Sequence, residues 1–406
     1  MLTLALVFTL AACGNSESGS GTDDVEATAA PTNVEIDGKN YSDIKIGLIC
    51  LHDENSTYDS NFITALKEVQ AELGLNDEQV LIKTNIPESD ACLNAALELV
   101  DEGCNLIFAD SFGHESYMIN AAQECPDVQF CHATGTKAHT EKIANFHNAF
   151  ASIYEGRFLA GVAAGMKIKE QLDAGEIKDT KVGYVAAFPY AEVKSGYTSF
   201  FLGVRSIVED ATMEVVYTNS WFDIALEREA ALKLINDGCV LISQHADSEG
   251  APKACEEKNI PNVAYNINTA SIAPKTALVS SKIDWAPYYK TAIDAVINGE
   301  EIPYDYTGTI ATNSVKLLEL NGAVAAEGTE EKIAEVKAQL EAGTLHVFDT
   351  STFTVKGEKL TTYLADVDDA GDYQGETEVV SDGYFHESEY RSAPYFDLII
   401  DGITEA

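Results

Sequence analysis

Two stretches of this chain follow one pattern. Ala231 to Ser248 reads ALKLINDGCVLISQHADS, and Ala96 to Ser111 reads ALELVDEGCNLIFADS. Ala96 and Ala231, Gly103 and Gly238, and Cys104 and Cys239 each lie 135 residues apart. The same offset links Pro126 in ECPDVQF to Pro261 in NIPNVAY. Each copy predicts the end of an amphipathic helix, a glycine stop, a short apolar strand and a polar tip, with a further helix and strand behind it. A unit of this kind used twice implies two similar α/β halves, each a parallel sheet wrapped by helices. Ligands bind such sheets beyond the carboxyl ends of the strands. The tips are Asp110-Ser111-Phe112 in one half and His245-Ala246-Asp247-Ser248 in the other. Two lobes facing each other across a cleft would bring both tips to one ligand.

The rest of the chain extends this plan. At 406 residues it is long enough for two domains. Asp43 to Cys50 predicts a buried first strand, followed by the tip Leu51 to Asn61 and a helix over Phe62 to Leu73. Val80 to Thr84 reads as the next strand, and NFHNA at Asn145 to Ala149 ends the first lobe. Glu155 to Lys169, EGRFLAGVAAGMKIK, predicts a helix whose Gly161, Ala163, Ala164 and Gly165 permit close packing. It lacks the GxGxxG or GK[ST] pattern of a phosphate loop. In the second half, Lys181 to Ala186 is a strand with the tip Ala187-Phe188-Pro189-Tyr190, and Ser195 to Val208 its helix. Met213 to Thr218 leads to the tip Asn219 to Asp223. Near the end, Glu330 to Ala342 is an amphipathic helix, Gly343 to Thr362 reads as strand-rich, Asp366 to Tyr384 as an acidic loop, and Tyr395 to Gly402 as an apolar closing segment.

Charge and the chain start narrow the setting. A formal charge of −40 repels nucleic acid and anionic lipid headgroups, so neither is an expected partner. Met1 to Thr9 is apolar, and Leu10-Ala11-Ala12-Cys13 has the form of a bacterial lipobox, with cleavage before Cys13 and lipid on its thiol. Gly14 to Pro31, rich in small and polar residues, reads as a flexible tether. Seven further cysteines are scattered without a CxxC pair, which argues against a zinc site or a redox dithiol.

No catalytic signature is present: neither HExxH, GxSxG, a Walker loop nor a CxxC pair. His245 and Asp247 could ligate a metal, but no third ligand stands near them in sequence, so none is expected. Ser248, His245 and Asp247 lie too close together to form a triad. The stronger constellation joins aromatics at the tips (Tyr58, Phe112, Phe188, Tyr190, Trp221 and Trp285) with Asp59, Asn61, Asp110, His245, Asp247 and Asn266. Aromatic faces suit a flat ring, and carboxylates and amides can pair with its edges.

The segments STYDSNF, EGRFLAGVAAG, NSWFD, GCVLISQHADS and SSKIDW resemble those of the basic membrane protein family, lipid-anchored substrate-binding proteins of ABC transporters related to PnrA and Med. The resemblance spans about Ile44 to Gly402. It implies a type I periplasmic-binding-protein-like fold, two Rossmann-like lobes with a ligand cleft between them, and a purine nucleoside or nucleobase as ligand. By position it implies that Tyr58 and Phe188 stack the base. It places Asp59 and Asn61 in the first ligand loop, Asp110 at the second tip, and Lys282 facing the ligand. Where nucleoside-binding members carry a glycine-rich tip, this chain has His245-Ala246-Asp247-Ser248, and Tyr265-Asn266 replaces an acidic tip. The QHxDS branch is similar to adenine-type binders, so a nucleobase is favoured over a nucleoside.

These readings divide the chain into a signal peptide over 1–13, a tether over 14–42, lobe one at 43–146 plus 285–325, and lobe two at 148–284 plus 326–406. They describe a non-enzymatic, extracytoplasmic lipoprotein that needs no cofactor, acts as a monomer and serves an ABC permease. The expected ligand residues are Tyr58, Asp59, Asn61, Asp110, Phe112, Phe188, Trp221, His245, Asp247, Asn266 and Lys282. A ligand sensor for signalling on the same fold and a secreted nucleosidase are the alternatives.

Overall fold

The computed structural model describes residues 35–36, 38–368 and 374–406. The expected signal peptide, Cys13 and most of the expected tether lie outside these residues.

The described residues begin with a small hairpin, β1 (Glu35–Ile36) and β2 (Lys39–Asn40), and then alternate strands with helices. First come β3 (Ile46–Ile49), α1 (Thr57–Glu72), β4 (Val80–Lys83), α2 (Asp90–Asp101), β5 (Leu106–Ala109) and α3 (Glu115–Glu124). They are followed by β6 (Gln129–Ala133), a short α4 (Ala138–Glu141) and β7 (Phe146–Ala151). After α5 (Ile153–Asp173) the second round runs β8 (Lys181–Ala186), α6 (Ala191–Arg205), β9 (Thr212–Tyr217), α7 (Ile224–Asn236) and β10 (Leu241–Gln244). It continues with α8 (Gly250–Lys258), β11 (Asn262–Tyr265) and β12 (Ala277–Ile283). Then follow α9 (Ala286–Asn298), β13 (Asp305–Gly308), β14 (Val315–Leu317) and α10 (Thr329–Glu341). Two small hairpins, β15 (Leu364–Ala365) with β16 (Thr377–Glu378) and β17 (Val380–Ser381) with β18 (Tyr384–Phe385), precede a last strand, β19 (Ile403–Glu405).

The strands form two separate large sheets, as the repeated unit requires. One has the order β13-β7-β6-β5-β3-β4, with every neighbour parallel. The other has the order β14-β12-β11-β10-β8-β9-β19, parallel except where β14 runs against β12. Within each, five strands share one doubly wound order, β4-β3-β5-β6-β7 in the first and β9-β8-β10-β11-β12 in the second. The order reverses between β3 and β5 and between β8 and β10, the place where sheets of this kind open a crevice. The matched stretches occupy equivalent places: Leu106 opens β5 and Leu241 opens β10. Gly103 and Gly238, which end the preceding helices, have φ of +90° and +92°, a conformation that disfavours any side chain.

Local chemistry sets the helix limits. Ser89 caps α2 by accepting from Ala91 N, and the helix buries Cys92, Ala95, Ala96 and Leu99, one face at helical spacing. Ser56 caps α1 by accepting from Asp59 N, so that helix begins at Thr57, earlier than apolar spacing alone suggests. Its first turn therefore carries Tyr58 and Asp59, with Asn61 just after it. The helix α5 packs against α6 at two glycines: a Cβ on Gly161 would stand 2.1 Å from Phe200 O, and one on Gly203 would stand 2.2 Å from Phe158 O. The glycines of EGRFLAGVAAG thus allow a close helix crossing.

The chain passes between the sheets three times, at Ala151–Ile153, Ile283–Ala286 and Gly308–Val315. This shifts the expected lobe limits. Strand β7 stays in the first sheet to Ala151, while β14 joins the second sheet rather than lobe one, because it pairs with β12 from Ser281 to Ile283. The packed chain also begins before residue 43: Lys39 Nζ and Tyr41 Oη both donate to the Asp294 carboxylate on α9. The strand-rich expectation for Gly343 to Thr362 is corrected, since this stretch holds no strand, only two isolated bridges, Val355 to Glu358 and Asp349 to Tyr384. Asp349 takes Ser351 N on its side chain and Thr352 Oγ1 on its carbonyl, and Lys356 and Gly357 both have positive φ, so the backbone turns instead of extending. Its Phe348 and Phe353 are buried as anchors, stacked with or edge-on to Phe396.

Candidate functional site

The carboxyl ends of the two sheets meet around a small, partly open cavity. Lobe one contributes Leu51 and His52 after β3, Tyr58 and Asp59 from the first turn of α1, Ser111 and Phe112 after β5, and Thr134 after β6. Lobe two contributes Glu192 from the first turn of α6, Trp221 after β9, His245 and Asp247 after β10, and Tyr265 at the end of β11. The lobes touch around it. Thr57 N donates to Asp247 O at 2.9 Å, and the His52 and Phe222 rings are 5.6 Å apart. Phe112 meets Tyr190 at 5.5 Å.

Of the residues singled out from sequence, Tyr58, Asp59, Phe112, Trp221, His245 and Asp247 line this cavity together. Asp110 lies directly behind Asp59 and is fully buried, with Oδ1 accepting from Leu51 N and Oδ2 without a partner. Asn266, with φ of +66°, stands beside Asp247 and reaches its Oδ1 at 3.5 Å. Phe188 packs on Trp221 and Tyr190 and so braces the wall from behind. Asn61 points elsewhere, donating to Ile283 O at the second crossing. Lys282 sits on β12 opposite Lys316 and does not line the cavity.

The walls combine aromatic faces with carboxylates whose electrostatics differ. Burial pushes Asp59 up, but hydrogen bonds from His52 and Ser56 outweigh it and hold this carboxyl below its usual value. Asp110 is driven well up by burial and by the Asp59 charge beside it. Asp247 is also driven well up, by burial first and then by the charges of Glu227, Asp59 and Glu192. Burial keeps His245 below its usual value, so it is a neutral ring, with Nε2 3.3 Å from Glu192 Oε1. Cys50, Asp59 and Asp110 offer a thiol and two carboxylates within 4.8 Å of one another, a set that could in principle hold a cation. Most of their oxygens already accept from Leu51, His52 and Ser56.

Sequence reasoning did not single out His52, Ser111, Thr134, Glu192 or Tyr265 as ligand residues, nor Arg157 behind them. Arg157 is 1% exposed, donates Nη1 to Gln244 O, and stacks its guanidinium 3.5 Å above the Tyr265 ring. The visible signal was a cation standing directly before the apolar run FLAGVAAG. Glu192 and Tyr265 adjoin tips that were identified.

Among the described residues no helix is long and apolar enough to cross a membrane. Residues 48–343 match the model of the family described as ABC transporter substrate-binding protein PnrA-like. The chain is 29% identical over 320 residues to a purine-binding protein of Brucella abortus, covering 75% of this chain and 87% of that one. It is 31% identical over 249 residues to a putative ABC transporter glucose-binding protein, TsgA13, of Haloferax volcanii, covering 61% and 60%. Among solved structures, a solute-binding protein of an ABC transporter system from Aeropyrum pernix K1 superposes with a TM-score of 0.64 at 16% identity, over 75% of this chain and 93% of that one. One from Conexibacter woesei gives 0.59 at 17% identity, over 75% and 98%. These likenesses support the two-lobed type I fold. The chain belongs to the PnrA-like family of ABC transporter substrate-binding proteins, extracytoplasmic proteins that bind a small molecule and present it to a membrane permease.

Proposed function

We propose that the cleft binds a purine, adenine-like and with the nucleobase favoured over the nucleoside, and that the protein delivers it to an ABC permease while anchored by lipid at Cys13. The observation that carries this reading is the cavity itself, in which Tyr58, Phe112, Trp221 and Tyr265 supply aromatic faces and Asp59 and Asp247 supply acceptors. The Brucella relative, named as a purine-binding protein, supports it. His245, Asp247 and Tyr265 crowd the lobe-two side, which favours a bare base.

Asp247 tests the assignment. It is 5% exposed, and its Oδ1 has only the 3.5 Å contact to Asn266, so a ligand N–H would be its main partner. Asp247→Ala should weaken adenine binding by at least about tenfold, the equivalent of 1.4 kcal/mol. Calorimetry with adenine, adenosine, guanosine, glucose and ribose reads this directly. The Haloferax relative makes a sugar the competing ligand. Heat with a sugar and none with a purine, or wild-type affinity in Asp247→Ala, would refute the purine reading. The anchor is tested separately: Cys13→Ala should release the protein from the membrane fraction, and retention there would refute it.

A further inference from the structure

The hydroxyl groups of the cavity wall mostly donate inward to the protein. Tyr58 Oη donates to Asp110 O, Ser111 Oγ to Glu88 Oε1, and Thr134 Oγ1 to Ala133 O. The carboxylates retain acceptor capacity toward the cavity. Glu192 has a side chain 13% exposed, and its only protein hydrogen bond is the 3.3 Å contact of Oε1 with His245 Nε2. That contact is held in place. A Cβ on Gly196 would stand 2.8 Å from His245 Nδ1, so the ring packs directly on the α6 backbone one turn beyond Glu192. On its other side the ring lies 5.3 Å from Tyr265, which is clamped beneath Arg157. The neutral imidazole has one proton to give, and Nε2 is the atom facing Glu192. Glu192 Oε2 and Asp247 Oδ2 make no hydrogen bond within the protein and remain for a ligand.

We infer that Glu192 is a specificity-determining ligand residue, and that with Asp59 it forms an acceptor face selecting rings that carry an amino group over rings that carry a carbonyl at the same position. This rests on the ring-binding reading of the cleft and deepens it. A carboxylate opposite an amino group makes a charge-assisted hydrogen bond, whereas a carbonyl there sets two acceptors against each other in a buried site. Buried groups left unpaired in this way discriminate strongly between ligands of one shape. The donors still available on the wall, the Trp221 indole and Tyr265 Oη, can serve the ring nitrogens that accept.

Two ligand pairs test this by the same exchange of amino for oxo: adenine with hypoxanthine, and cytosine with uracil. Calorimetry on the full chain should show the amino member of at least one pair binding about tenfold or more tightly than its oxo partner. Glu192→Gln keeps the shape and puts a donor where the carboxylate stood. It should weaken the amino ligand, strengthen the oxo ligand, and leave the melting temperature of the ligand-free protein unchanged. A residue that only positions His245 would instead lower both affinities by one factor. Equal affinity for the two members of each pair in the wild type, or an equal loss for both in Glu192→Gln, would overturn the inference. Cytosine preferred to uracil with no purine bound would refute the purine reading while sustaining this one. Binding of none of the four would overturn both.

Discussion

Replacing Glu227 by glutamine should change how the stability of this protein depends on pH. Glu227 lies in the first turn of α7 with no exposed surface, and it holds the second lobe's tip: Oε2 accepts from Ser248 N at 3.0 Å and Oε1 from Asp223 N at 3.1 Å. Burial is the main cause that pushes its carboxyl from 4.5 up to about 7, with the hydrogen bonds from Ser248 and Asp223 opposing it. A carboxyl raised in the folded state holds its proton longer there than in the unfolded chain. Its favourable contribution is complete below about pH 4.5 and is lost as pH rises through about 7. Each unit of displacement is worth about 1.4 kcal/mol, so ionising Glu227 in place would cost up to about 3 kcal/mol. A chain of net charge −40 also gains stability on mild acidification simply because repulsion falls. The diagnostic quantity is therefore the difference between wild type and Glu227→Gln. Urea denaturation from pH 4.5 to 7.5 should show the wild type losing about 3 kcal/mol relative to the variant across that interval. Parallel curves would refute the assignment of a buried, proton-holding carboxyl at this position.

Three other outcomes follow from the packing. Gly161→Ala should lower stability by about 2 kcal/mol, because the new methyl meets Phe200 O across the α5–α6 crossing, and thermal denaturation will read it. Of the two tryptophans, Trp221 lines the cavity and Trp285 is 2% exposed in the core, so ligand should change the emission of the wild type but not of Trp221→Phe. A change that persists in the variant would remove Trp221 from the site. Cys125 is half-buried while Cys50, Cys92, Cys104, Cys131, Cys239 and Cys255 are buried, and burial pushes the Cys131 thiol up to about 12. Labelling of the native protein with a thiol reagent should therefore lose its fast phase in Cys125→Ser.

Much of the fold was legible because its signals are local. The helix, glycine and apolar strand of each matched stretch are contiguous letters, and their recurrence at one offset implied two sheets of the same build. The limits of the lobes were less legible. Strand β14 is three residues long, and its place in the second sheet depends on pairing with β12, about thirty residues earlier in sequence. Nothing in the letters Val315-Lys316-Leu317 records that partner. The stretch after Gly343 misled for a related reason. Its phenylalanines alternate with polar residues as in a strand, yet Phe348 and Phe353 pack on Phe396, and the backbone between them turns on Asp349.

The site was legible where one residue carries its own chemistry and illegible where function lies in a relation. Asp59 and Asp247 stood out as carboxylates at tips, and both line the cavity. Glu192 was hidden among the many acidic residues of the chain: it looks like an ordinary helix-opening glutamate, favourable to the dipole of α6. Its distinction arises only because His245, 53 residues later, is pressed onto Gly196 and directs Nε2 at it. Arg157 is the same case in reverse. It was not singled out from sequence, while the fold places its guanidinium over the Tyr265 ring. The cavity thus sets acceptors on its inner face and a buried cation behind that face. On the proposed reading, Asp59 and Glu192 stand at the cavity as acceptors, and the donors of a bound ring would be the complement they lack.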